Sequence, residues 1–170
     1  VGLAIEAISF MPGYGIAVAA ATMVGQNLGA GRPADARLSA YEANRLAVIL
    51  MDAMGFVFFF FPYVLLRLFT SDPEVIRYGI LYMKIVAFAQ VPLAVTMVLT
   101  GSLRGAGDTG FIMFATMAGM WLVRLPVTAL LATVFHAPIR YVWSVMIFDW
   151  LVRMGLLNWR YRKERWGRME

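Results

Sequence analysis

Apolar residues run through this chain in five long stretches, at 2–28, 34–69, 73–103, 109–135 and 138–159, with polar residues gathered in short clusters between them. Each stretch reaches the roughly 20 mostly apolar residues that carry a helix across a bilayer. Several are longer than the hydrocarbon is thick, so their ends project into the interface or the segments tilt. Uncharged runs such as 7–24 and 53–66 recur along the whole chain, and one soluble core would not hide them all. The expected fold is all-α, a polytopic transmembrane bundle of about five spanning helices forming a single unit over 1–170.

The punctuation between the stretches is consistent with helix ends. Pro33 and Pro73 suit a first helical position, where a missing N–H costs nothing, and Ser71 with Glu74 fits a capping box. Gly29-Ala30-Gly31 and Gly105-Ala106-Gly107 supply residues that accept left-handed angles after a helix, and Asp108 is placed to cap the next one. Both glycine clusters share the frame G-x-x-x-G-A-G, beginning at Gly25 and Gly101. Either the same helix-end chemistry or a duplicated element accounts for the echo. Pro12 and Gly13 are expected to bend the first segment, with Tyr14 at the bend.

Charge orients the bundle, because Lys and Arg concentrate on cytoplasmic connections. Arg32, Arg37 and Arg104 lie on the first and third connections, and a basic tail over 160–170 falls on the same side. The second connection centres on Ser71-Asp72-Pro73-Glu74, although Arg67 and Arg77 flank it; the fourth has only Arg140 beside His136. The pattern places Val1 outside and Glu170 in the cytoplasm of an inner-membrane protein.

Composition agrees: 61% of residues are hydrophobic and 15% charged, against about 25% charged in soluble domains. The net charge of +5 sits largely in the tail, so it reads as a cytoplasmic flank beside a membrane segment and not as a nucleic-acid surface. There is no Cys and a single His136, which cannot build a zinc site. No HExxH, Walker loop or nucleophile elbow is present, and no enzyme, metal or cofactor is expected. Val1 opens into apolar sequence without a basic leader region, and the chain is expected to be a fragment.

Charged groups within hydrocarbon are costly and mark pairs, interior faces or pathways. The substrate or ion pathway candidates are Glu6, Tyr14, Asp52, Lys84 and Gln90. Asp52 is the only formal charge between Arg45 and Arg67, and burial or a cation such as Lys84 would set its protonation. Lys84 and Gln90, with Pro92 freeing a backbone carbonyl, suggest a break that lines a cavity or a kink satisfied by neighbouring helices. Arg124 reads mainly as a structural anchor, and Asp149 with Arg153, four apart, as a structural pair on one helix face.

The run Phe10-Met11-Pro12-Gly13-Tyr14-Gly15, followed by Val24-Gly25-Gln26-Asn27-Leu28-Gly29-Ala30-Gly31-Arg32, resembles the second helix of a multidrug and toxic compound extrusion (MATE) lobe and its following loop. Gly101-Ser102-Leu103-Arg104-Gly105-Ala106-Gly107-Asp108-Thr109 is similar to that family's loop after the fourth helix. Trp121-Leu122-Val123-Arg124-Leu125-Pro126 is similar to its fifth helix, and Arg160-Tyr161-Arg162-Lys163-Glu164-Arg165-Trp166 to its terminal segment. The resemblance implies the second to sixth helices of a six-helix C-terminal lobe, whose partners are the bilayer, the first helix and the N-terminal lobe. It implies antiport driven by a proton or sodium gradient, exporting small amphipathic, often cationic compounds by alternating access. Gly25, Gln26, Gly29, Gly31, Arg104, Gly105, Gly107 and Asp108 would be the family-motif loop positions. The chain departs from members that carry an acid midway along the fourth helix, since 90–96 contains none. Other readings are a lipid-linked precursor flippase or polysaccharide exporter, for which only Lys84 and Arg124 offer cavity cations, and a non-transporting membrane remnant.

Overall fold

The computed structural model describes residues 2–134 and 138–163, and within them not the side chains of 2–6, 132, 134, 139, 140 and 142. The readings placed on the Glu6 and Arg140 side chains, on His136 and on the tail beyond Lys163 fall outside the described residues. The chain runs through α1 (Gly2–Gly29), α2 (Pro33–Phe60), a short α3 (Pro62–Arg67) and α4 (Pro73–Gly105). One continuous rod then follows, made of α5 (Thr109–Met117), a π-helical stretch (Ala118–Arg124), α6 (Leu125–Ala129) and a second π-helical stretch (Leu130–Val134). Helix α7 (Ile139–Arg162) closes the bundle. Every regular element among the described residues is helical.

Local chemistry corrects three expectations. The stretch 34–69 is two helices, because Pro62 removes a donor and restrains Phe61, which adopts φ −121° and ψ 34° between α2 and α3. Asp72, not Ser71, caps α4: its Oδ1 accepts from the N–H of Glu74 at 2.9 Å and of Val75 at 3.4 Å. Asp108 makes no capping bond to α5. Its Oδ2 accepts instead from Arg160 Nε of α7 at 2.6 Å. Pro12 and Pro92 both lie within continuous helices.

The two glycine turns are superimposable in their bonding. Gly31 and Gly107 take φ of +69° and +82°, angles that cost an L side chain strain. Arg32 N–H donates to Asn27 C=O at 2.8 Å and Asp108 N–H to Leu103 C=O at 2.9 Å, the six-to-one bond of a Schellman ending. The repeated G-A-G is thus helix-end chemistry. The earlier glycines do something else: they let α1 and α4, running parallel, touch backbone to backbone. A Cβ on Gly101 would overlap the Ala17 carbonyl, one on Gly105 the Ala21 carbonyl, and one on Gly25 would stand 3.1 Å from the Gly105 oxygen. Bilayers supply no hydrophobic drive for helix pairing, so this close small-residue packing has to supply it by dispersion.

Around that seam the core forms three layers along the bundle axis. Val24, Ala40, Leu103, Ile112 and Leu157 pack beside the glycine turns. Ala20, Ala47, Met51, Leu93 and Val98 fill the middle, and Phe58, Leu66, Met83 and Val86 the far end. The outward faces are apolar, with Phe56, Phe60, Phe61, Leu68 and Trp121 all more than half exposed. Four spans are long and apolar enough to cross a membrane: Ala7–Gly29, Pro33–Phe60, Pro73–Gly105 and Thr109–Ala129. Helix α7, with 24 residues, is about 36 Å long at 1.5 Å per residue and so long enough for a roughly 30 Å core. It falls short on hydropathy, carrying Asp149 and Arg153 midway, and these neutralise each other.

Because α1 and α4 are parallel and α2 returns between them, both glycine turns share one end of the bundle. Arg32, Arg37, Arg104 and Arg160 gather there, and Asp72 and Glu74 lie at the other.

Candidate functional site

A cavity of about 340 Å³ opens between α1, α4, α5 and α7. On α4 it is lined by Thr96, Thr100 and Arg104, which recur every four residues and so share one helix face. On α1 it is lined by Phe10 and Tyr14, whose rings stack at 6.3 Å with 14° between planes. Trp150 and Arg153 of α7 close the third side, the guanidinium carbon 5.2 Å from the indole centroid.

Behind Arg153 lies a fully buried carboxylate. Asp149 Oδ1 accepts from Arg153 Nε at 2.8 Å, while Asp149 Oδ2 is buried without a hydrogen-bond partner. The pair needs space beside the rod, and Gly119, in the first π-helical stretch, provides it: a Cβ there would overlap both side chains. A π turn at such a position is a common accommodation at functional sites. Thr96 is also buried, and its hydroxyl has no partner in the structure.

The sequence-derived candidates are scattered by the fold. Tyr14 is half-exposed on the cavity wall. Gln90 is fully buried where α4 meets α1 and α2, its Nε2 donating to Ser9 Oγ at 3.3 Å and its Oε1 left unpaired. Lys84 is exposed, 5.7 Å over the Phe59 ring. Asp52 is not buried: it is exposed on α2, with neither Arg45 nor Lys84 as a partner, and Arg45 pairs instead with Glu42. Arg124 lies by a second cavity of about 630 Å³ at the opposite end, with Glu74, Tyr78 and Trp143.

Of the motif positions, Gly25 and Gly105 form the helix seam, Gly31 and Gly107 the turns, and Gly29 ends α1 with open space around it. Gln26 is exposed and contributes its carbonyl to the Ala30 N–H at 3.0 Å. Asp108 reaches Arg160, and Arg104 alone of this set lines the cavity. Sequence reasoning missed Thr96, Thr100 and Trp150. The four-residue polar spacing Thr96, Thr100, Arg104 within an apolar helix was the available signal.

Comparisons with known proteins agree on one family. The MatE family model matches residues 1–130. The chain is 33% identical over 166 residues to a probable multidrug resistance protein NorM of Thermotoga maritima, covering 98% of this chain and 36% of that protein. It is 31% identical over 126 residues to the multidrug resistance protein MdtK of Yersinia enterocolitica, covering 74% of this chain and 28% of that one. Among solved structures it superposes on the eukaryotic MATE transporter AtDTX14 with a TM-score of 0.87 at 26% identity, over 98% of this chain and 37% of that chain. The chain thus spans about a third of the length of the relatives it matches. A membrane-dimensioned helical bundle, the paired glycine turns and these matches together show that the chain belongs to the MATE family of multi-pass membrane transporters.

Proposed function

We propose that the chain forms the second to sixth helices of the C-terminal lobe of a transporter that exports amphipathic organic compounds, often cationic, against a proton or sodium gradient. The observation that supports this best is the cavity between α1, α4, α5 and α7, partly aromatic and partly polar, held inside a bundle whose outer faces suit lipid. Alternating access would move this lobe against the other around a midplane site. Coupling requires an ion to bind the two orientations with different affinity. Asp52 is the described carboxylate most open to such a role. A bare carboxylate facing lipid is costly, so its exposed face on α2 is read as facing protein or water in the complete transporter.

The test uses the complete native polypeptide carrying this chain, reconstituted in vesicles with a fluorescent organic cation and an imposed proton or sodium gradient. Gradient-dependent efflux is expected, and Asp52→Asn is expected to weaken it or shift its pH profile while insertion stays normal. No gradient-dependent movement of any organic cation would overturn the reading.

The orientation follows from the basic end of the bundle, which is proposed to face the cytoplasm. A single Cys at position 104 should react with a membrane-impermeant maleimide in inverted vesicles and not in intact cells. Labelling from outside would reverse the assignment.

A further inference from the structure

The second cavity, of about 630 Å³, lies at the end of the bundle opposite the glycine turns, and its charges are ordered along the bundle axis. Asp72 and Glu74 stand at its mouth, just before and within the first turn of α4. Tyr78 and Tyr82 follow on the same helix face, roughly 6 and 12 Å deeper than Glu74 at 1.5 Å per residue. Tyr82 meets the Trp143 ring edge-on at 5.3 Å. Arg124 enters from the rod, a turn or so beyond Gly119, which packs on Asp149 midway along α7. Its guanidinium therefore reaches the cavity from the membrane side of the carboxylates. Negative charge lies toward water, positive charge beneath it, and aromatic rings line the wall.

These charges are not spent on each other or on neighbours. The Arg124 and Glu74 side chains are exposed, and neither makes a hydrogen bond or ion pair with another described residue. Asp72 commits Oδ1 to its cap. A bare guanidinium at membrane depth is costly, and phosphate is an apt partner because its oxygens match the planar fork. A free carboxylate above it calls for a cation. The two together suit a ligand whose own charges run in the reverse order, an ammonium outermost and a phosphate below. An aminophospholipid presents that order at a bilayer surface. Tyr and Trp favour the same headgroup level, and Leu66 and Met146 continue the wall as apolar surface.

We propose that this cavity binds the head group of an aminophospholipid from the leaflet at the acidic end of the bundle. The ammonium is held by Glu74 with Asp72 beside it, the phosphate by Arg124, and the start of an acyl chain lies along Leu66, Tyr82 and Met146. A volume of about 630 Å³ is within the range of sites that enclose a ligand of this size. A choline head group carries the same charges but has no N–H to donate, and a glycerol head group has no cation at all. The site goes beyond the transport reading and does not rest on it.

The probes are phosphatidylethanolamine, phosphatidylcholine and phosphatidylglycerol with identical oleoyl chains. Each is titrated into the complete native polypeptide in detergent, and native mass spectrometry reads the occupancy of the first bound lipid. Phosphatidylethanolamine is expected to bind at least about tenfold more tightly than the other two. Glu74→Gln leaves the capping N–H in place and is expected to abolish that preference: phosphatidylethanolamine weakens about tenfold, while phosphatidylglycerol, no longer repelled, does not weaken. Arg124→Gln is expected to weaken all three, since all carry the phosphate. Ratios between lipids on one protein do not depend on how much of it is folded, so a damaged variant still gives an answer. Benzoylphenylalanine in place of Tyr78 is expected to cross-link phosphatidylethanolamine and so locate it. Phosphatidylglycerol or phosphatidylcholine bound as tightly as phosphatidylethanolamine, a preference that survives Glu74→Gln, or no lipid adduct at position 78 would each overturn the proposal.

Discussion

Gly101→Ala and Gly105→Ala are each expected to cost the folded bundle more than about 2 kcal/mol, at the upper end of what overpacking usually does. Alanine adds one methyl, and in open helical positions it stabilises by about 0.5–1 kcal/mol relative to glycine. At these two positions the methyl meets the Ala17 and Ala21 carbonyls. A backbone carbonyl cannot rotate aside as a side chain does, so α1 and α4 must separate. Separation also opens the layer of Val24 and Leu103 beside the seam. Gly15→Ala and Gly110→Ala are matched controls, because nothing lies within 4 Å of a Cβ at either position. Thermal midpoints of the detergent-solubilised protein, followed by size exclusion after heating, give the readout. Equal midpoints for Gly105→Ala and Gly15→Ala would show that the seam between α1 and α4 yields to an added methyl without cost.

A second large effect is expected at the buried ion pair. Arg153→Met alone leaves the Asp149 carboxylate fully buried with no counter-charge, and losing one partner of such a pair costs about 3–5 kcal/mol. Replacing both residues, Asp149→Leu with Arg153→Met, removes the two desolvation penalties together and is expected to recover most of that loss. The ordering of midpoints should therefore be wild type and double variant above the single. A single variant as stable as the wild type would mean that water or another donor already serves Asp149. The comparison also bears on the cavity: a stable double variant keeps the fold while removing one of the two guanidiniums from the wall.

The sequence carried most boundaries of the long helices because hydrocarbon imposes a length that a hydropathy pattern records directly. The stretches at 73–103 and 138–159 differ from α4 and α7 by a few residues at their ends. Punctuation was legible where one residue's own backbone demand decides the outcome, as at Gly31 and Gly107. It failed where two neighbouring residues compete for one role. Ser71 and Asp72 both suit a cap, and only the register set by Pro73 at the first helical position selects Asp72. Asp108 was open to a local cap or a distant cation, and the approach of α7 gives it Arg160. The break at Phe61 was a plain miss, since Pro62 announces it. Site residues were the least legible, because facing direction depends on which helices pack where. Lys84 and Gln90 are six residues apart on α4, and one meets Phe59 at the surface while the other is sealed against Ser9.

The seam between α1 and α4 also sets an order of assembly. Ala17 and Ala21 leave the ribosome long before Gly101 and Gly105, and at about 5–20 residues per second the wait is several seconds. Throughout that interval the partner face of α1 must rest against lipid or the insertion machinery. A face marked by polar groups would be stranded there, since hydrocarbon offers nothing to bond with. Alanine and glycine leave nothing stranded: their backbone groups are already satisfied within α1, and their small side chains make no strong wrong contact. The surface that packs most tightly in the finished bundle is thus among the least committed in the nascent one, and recognition waits until α4 arrives with matching glycines.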